Sequence, residues 1–90
     1  MAKKRFQHPV GRLRKSVREV LALSAGYYLT VEAITRFVNE LLEPDADPAD
    51  ILLALEWNYA EDYVANQHNE ETEETEWCIT KSGIAHNNVS

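Results

Sequence analysis

The strongest constraint on the fold is the order in which periodic segments follow one another along the chain. Three stretches carry apolar residues at helical spacing, and two short strand-like stretches then flank a polar loop rich in Glu. A chain of 90 residues is of the size of one domain. This order predicts a mainly α domain with a small antiparallel β-hairpin, that is, a winged helix-turn-helix of three helices plus a wing.

Local signals place the ends of these elements. We expect helices over about 11–25, 31–42 and 48–61, with a short strand at Tyr27–Leu29 between the first two. Two further strands are expected at Tyr63–Ala65 and Trp77–Thr80, joined by a loop over 69–75. Gly26 suits the left-handed end of the first helix. Thr30 is a good N-cap for the second helix. Asp47 is expected to cap the third helix, with Pro48 at its first position, where the missing N–H is not needed.

The flanks of the domain carry weaker patterns. Residues 1–10 are predicted to be a basic flexible arm, residues 11–86 the winged-helix domain and residues 87–90 a disordered tail. In this interpretation Lys81–Gly83 closes the second strand of the hairpin.

Charge is distributed very unevenly along the chain. Seven basic residues precede the first acidic residue, Glu19, and from Glu19 onward there are fifteen acidic residues against Arg36 and Lys81. The net charge of −6 therefore averages a basic start and an acidic remainder. This asymmetry indicates a polyanion as partner for one end, and a cationic partner or plain solubility for the other.

Three short motifs in the second half resemble those of bacterial winged-helix regulators. They are Ala54-Leu55-Glu56, Tyr63-Val64 and Ile79-Thr80-Lys81-Ser82-Gly83, in that order, within a resemblance covering roughly residues 11–86. The resemblance implies binding of double-stranded DNA, with the third helix in the major groove and the wing along the backbone or the minor groove.

The third helix departs from that pattern, because neither it nor its approach contains Lys or Arg. Its acidic residues are Asp45, Asp47, Asp50, Glu56, Glu61 and Asp62, and five more carboxylates lie between Glu70 and Glu76. DNA carries one negative charge per ~1.7 Å of axis and repels such a face. We therefore expect nucleic acid to contact the basic arm and first helix instead. The candidate residues are Lys3, Lys4, Arg5, Arg12, Arg14, Lys15 and Arg18.

An alternative function is protein recognition through the third helix and the wing. The third helix has two apolar stripes, one through Leu52 and Leu55 and one through Leu53 and Trp57. The second stripe either packs beneath the wing or forms an exposed patch for a partner or a homodimer. Candidate residues for a basic protein partner are Trp57, Glu70, Glu71, Glu73 and Glu74; the glutamates alternatively form a solvated wing tip.

Other classes of function find no support in the sequence. It contains no Gly-rich phosphate loop and no nucleophile elbow, so we expect neither an enzyme nor a cofactor. His8, His68, His86 and Cys78 match no zinc-binding spacing. No apolar run approaches the ~18 residues of a membrane span. With a single cysteine and no secretory signal, we expect a cytoplasmic protein.

Overall fold

The computed structural model of the protein describes residues 8–42 and 45–89. Within these ranges the elements are α1 (Val10–Leu23), β1 (Leu29–Thr30), α2 (Val31–Leu41), α3 (Pro48–Ala60), β2 (Val64–Asn69), β3 (Glu74–Ile79) and α4 (Lys81–Val89). The three helices and the hairpin predicted from the sequence are confirmed. The short strand expected at Tyr27–Leu29 appears as β1, and the structure shows that it pairs with β3 as the third strand of the sheet. Helix α4 was not expected.

The helix ends follow the signals in the sequence. Gly26, at φ +92°, takes the left-handed conformation just beyond α1. The Thr30 hydroxyl accepts a hydrogen bond from the Ala33 N–H at 3.1 Å and so caps α2. Pro48 occupies the first turn of α3, and Asp47 holds its N-cap position, but the Asp47 side chain makes no capping hydrogen bond to that helix, contrary to the prediction. The Thr30 cap and Pro48 mark where α2 and α3 begin, and hence the turn between them.

The sheet is antiparallel, with strand order β1-β3-β2. In the pairing of β1 with β3, Leu29 lies opposite Trp77. In the pairing of β2 with β3, Val64 lies opposite Ile79 at the inner end and Asn69 lies opposite Glu74 at the outer end. The strands are longer than predicted, because backbone pairing continues into the polar stretch. The Asn69 carbonyl accepts from the Glu73 N–H at 2.7 Å and tightens the turn over 70–73.

The core lies between the helices and the inner ends of the strands. Its buried apolar residues are Leu13, Val17, Val20, Leu21, Ile34, Val38, Ala46, Ile51, Ala54, Leu55, Val64, Trp77 and Ile79. Helices α1, α2 and α3 each contribute one face to this core, as helical periodicity requires. The hairpin of β2, β3 and the turn over 70–73 forms the wing, and its outer half projects beyond this core.

Helix α4 occupies the segment 81–83, expected as a strand end, and extends into the segment 87–90, which was expected to be a tail. It runs from Lys81 to Val89, and Ser90 lies outside the described residues. Thr80 Oγ1 accepts from the Gly83 N–H at 3.0 Å and donates to the Asp62 carbonyl at 2.7 Å. The segment has little amphipathic pattern of its own, so its contacts with the rest of the fold stabilise it.

Helices α2 and α3, joined by a short turn and followed by the wing, form a winged helix-turn-helix. Within the described ranges, no helix combines the length and apolar character needed to cross a bilayer.

Gly83 provides a test of how α4 docks. A Cβ added at Gly83 would collide with the Tyr63 carbonyl oxygen and lie 2.9 Å from Ile79 Cγ1, whereas one at Gly11 would meet nothing within 4 Å. We expect Gly83→Ala to lower the free energy of unfolding by about 1–3 kcal/mol through overpacking. Gly11→Ala should be neutral or stabilise by up to ~1 kcal/mol. Urea denaturation of both variants measures this, and equal effects would contradict the docking.

Candidate functional site

Helix α3 turns one face into the core and the other to solvent. Ile51, Ala54, Leu55 and Asn58 are buried. The exposed side, called here the α3 face, consists of Ala49, Leu52, Leu53, Glu56, Tyr59 and Ala60. Of the two stripes predicted from the sequence, the structure buries Leu55 but leaves Leu53 64% exposed. The α3 face is therefore mainly apolar with a carboxylate at Glu56, and it carries no cation.

Trp57 lies at the edge of α3, beside α1. The Arg14 guanidinium carbon lies 4.3 Å from the centroid of the Trp57 ring. The centroids of the Trp57 and Tyr63 rings are 6.2 Å apart. A groove of about 390 Å³ opens next to this stack, lined among others by Val10 and Leu53. Trp57 is half-buried in these contacts. Its predicted role as a partner anchor remains a prediction, and its aromatic face is already covered by Arg14.

Arg18, predicted to contact nucleic acid, lies inside the fold instead. Its side chain is 5% exposed, and Nη1 donates to Asn58 Oδ1 at 3.0 Å. Nε donates to Asn87 Oδ1 at 3.4 Å, and the guanidinium lies over the Tyr63 ring at 5.6 Å. Burial lowers the pKa of Arg18 from its usual value, while Tyr63 and Glu19 oppose that shift. The Arg18 guanidinium thus links α1 to α3 and to α4 through its hydrogen bonds.

The remaining predicted basic residues divide into two groups. Arg12 and Lys15 are exposed near the start of α1, and we call this pair the basic end of α1. Lys3, Lys4 and Arg5 lie outside the described residues. Sequence spacing placed Arg14 and Arg18 on the same basic surface, but tertiary contacts draw both toward the aromatic rings of Trp57 and Tyr63.

The wing carries the predicted acidic cluster on its outer end. Glu70, Glu71, Glu73 and Glu74 are all exposed. Glu73 takes a left-handed backbone at φ +62°, and its Oε1 lies 3.6 Å from His68 Nε2. The Glu76 carboxylate, by contrast, accepts hydrogen bonds from Gln67 and Asn69.

Metal-binding side chains are not assembled in the part of the chain that the structure describes. No group of three His, Cys, Asp or Glu residues there is placed to hold an ion. Cys78 is buried in β3, where its thiol contacts the Ile79 carbonyl oxygen at 3.4 Å.

Two features were not predicted from the sequence. Asn58 is fully buried, and its amide nitrogen donates to the Arg14 carbonyl at 3.1 Å and to the Ala54 carbonyl at 2.8 Å. The second feature is an exposed apolar patch that contains Leu23, Phe37 and Leu41. A signal for it exists: Leu23 falls outside the buried stripe of α1, and an apolar residue there has no core to enter.

No protein-family model matches the sequence, and no curated protein matches it. Among solved structures, the chain is similar to two variants of ZitR from Lactococcus lactis. One superposes with a TM-score of 0.68 at 13% identity and the other with 0.64 at 15%. Each match covers 98% of this chain and 55% of the ZitR chain, so this chain spans about half of ZitR's length. At these identities the likeness is one of fold, and it agrees with the winged helix-turn-helix assignment.

Asn58 provides a test of the buried polar contacts. Asn58→Ala leaves Arg18 Nη1 without its buried acceptor and removes the side-chain hydrogen bond that joins α3 to the Arg14 carbonyl. We expect the free energy of unfolding to fall by about 2–4 kcal/mol. The matched control is Asn88→Ala, on the exposed side of α4, which should change stability by less than about 0.5 kcal/mol. Thermal or urea unfolding measures both, and a small effect at Asn58 would refute the role of this bond.

Proposed function

We propose that the protein is a small DNA-associated accessory or regulatory protein of the winged-helix type. The fold supports a DNA-binding role in general, since the helix-turn-helix is a widely used DNA-docking motif. The likeness to ZitR supports the fold on which this proposal is built.

The observation that carries the proposal is the exposed basic end of α1. Arg12 and Lys15 both project into solvent, directly after the stretch of sequence that contains Lys3, Lys4 and Arg5. Cations on neighbouring helical positions neutralise phosphates and release condensed counterions, which gives sequence-independent affinity. The α3 face supplies no such group, so in this proposal it does not read the major groove.

Salt-dependent DNA binding tests this function. We expect the purified protein to bind random duplex DNA at low salt, with an affinity that falls steeply as salt is added. Lys15→Ala should weaken binding and reduce the slope of log K against log [salt] by about 1, the contribution of one phosphate contact. Fluorescence anisotropy with a labelled duplex measures both quantities.

The control for Lys15→Ala is Lys81→Ala, which removes another exposed lysine, at the start of α4. It should leave the slope unchanged. Deletion of residues 1–7 should weaken binding further than Lys15→Ala alone, since it removes three basic residues. The proposal fails if no binding occurs at low salt, or if the deletion leaves the affinity as it was.

A second candidate function is recognition of a basic protein by the α3 face and the wing. Two observations favour it: Leu53 and Tyr59 are exposed on α3, and the wing turn displays Glu70, Glu71, Glu73 and Glu74. An apolar centre with a charged rim is the usual anatomy of a protein interface. In this alternative the chain keeps the winged-helix scaffold but does not bind DNA.

Co-purification with surface variants tests the second candidate. Reversal of the four wing glutamates to Lys, or Leu53→Ser on the α3 face, should abolish capture of a partner that the native chain retains. The matched control is the double variant Arg12→Ala with Lys15→Ala, which alters the basic end of α1 and should keep the partner. Retention of the same partner by all three variants would argue against this candidate.

A further inference from the structure

An exposed apolar surface lies where the C-terminal turns of α1 and α2 meet. Leu23 is 84% exposed, Phe37 44% and Leu41 55%. Together with Val20, Ser24 and Glu40 they line a cavity of about 160 Å³. We call this surface the α1–α2 patch. Side chains of this size are seldom left in water as a group unless something covers them.

The patch contains both a projection and a recess. Leu23 stands at its rim, almost fully exposed, beside the cavity. An apolar cavity of about 150 Å³ holds a benzene molecule, so this one accepts a leucine or phenyl side chain. A surface that presents a projecting side chain and a matching recess is complementary to its own copy across a two-fold axis.

The charges on α2 also favour a second copy. The chain carries a net charge of −6, so two copies repel unless they meet where acid is sparse. Glu40 is the charged residue among the described residues lining the cavity, and Arg36, one helical turn earlier, is likewise exposed. If α2 lies antiparallel to its copy, Arg36 of each chain comes beside Glu40 of the other, which gives two opposite-charge contacts.

The α3 face does not meet these conditions. It presents Glu56 with no cation on the same helix, so two copies of it would bring carboxylates together. The α3 face and the α1–α2 patch therefore differ in the partner that they suit.

We propose that the α1–α2 patch is a homodimer interface, in which Leu23 of each copy enters the cavity between α1 and α2 of the other. The interface leaves the basic end of α1 uncovered, since Arg12 lies about 16 Å from Leu23 along the helix at ~1.5 Å per residue. The proposal does not depend on DNA binding, and its test uses no nucleic acid.

Sedimentation equilibrium of the purified full chain tests the interface. We expect a monomer–dimer equilibrium whose dimer fraction rises with concentration. Leu23→Glu places a carboxylate in the apolar recess and should raise the dimer dissociation constant at least about tenfold. The control is Leu53→Glu, the same change at an exposed leucine of the α3 face, which should leave the constant unchanged.

A charge exchange on α2 tests the same interface without adding bulk to it. Arg36→Glu should weaken the dimer, because it sets carboxylate against carboxylate. Adding Glu40→Arg to that variant should restore the dimer, since the pair is then reversed but still complementary. Restoration by the second change also excludes misfolding as the cause of the first effect.

Three outcomes would overturn the proposal. The native chain could sediment as a monomer throughout the concentration range, in which case the patch serves a different molecule. Leu23→Glu could leave the dissociation constant unchanged. Leu53→Glu could weaken the dimer as much as Leu23→Glu, which would locate the interface on the α3 face.

Discussion

The arrangement of the helices depends on one buried amide, that of Asn58 in α3. Its nitrogen donates to the Arg14 carbonyl and its oxygen accepts from Arg18, so both ends of the amide are bound to α1. Arg18 in turn donates to Asn87 in α4. A buried polar group costs free energy unless it is paired, so α1, α3 and α4 satisfy these groups together in one relative position. Shifting α1 against α3 would leave the buried Asn58 amide and the Arg18 guanidinium without these partners.

Fixing α1 against α3 in this way decides which side chains remain outside. With Asn58 facing α1, the α3 face points to solvent and carries Leu53 and Tyr59. With Arg18 drawn to Asn58, Arg12 and Lys15 remain as the exposed cations of α1. The scaffold thus keeps the shape of a winged helix while its third helix is apolar and acidic. This separation of a basic end from an acidic, apolar face underlies both candidate functions.

Sequence periodicity predicted α1, α2, α3 and the hairpin because each has a strong local signal. Gly26 and Thr30 act through their own backbone and nearest neighbours, so their roles follow from residue type alone. Helix α4 was missed because its stability comes from Thr80 bonding back to the Asp62 carbonyl and from close packing at Gly83. Both contacts link residues that are distant in sequence. The local signal, the Thr80 hydroxyl accepting from the Gly83 N–H, is common to turns and helix starts and does not distinguish them.

For the candidate sites too, some features follow from the sequence alone and others only from the packing of the helices. The sequence by itself determined the charge asymmetry and the lack of any cation on the third helix, because charge belongs to the residue wherever it lies. Only the tertiary structure decided that Arg18 is enclosed while Arg12 and Lys15 are exposed, and that Leu23, Phe37 and Leu41 form one surface. The physical reason is that burial and proximity arise when separate helices pack together. Residue type and spacing along one helix specify which face is apolar, but not which neighbour covers it.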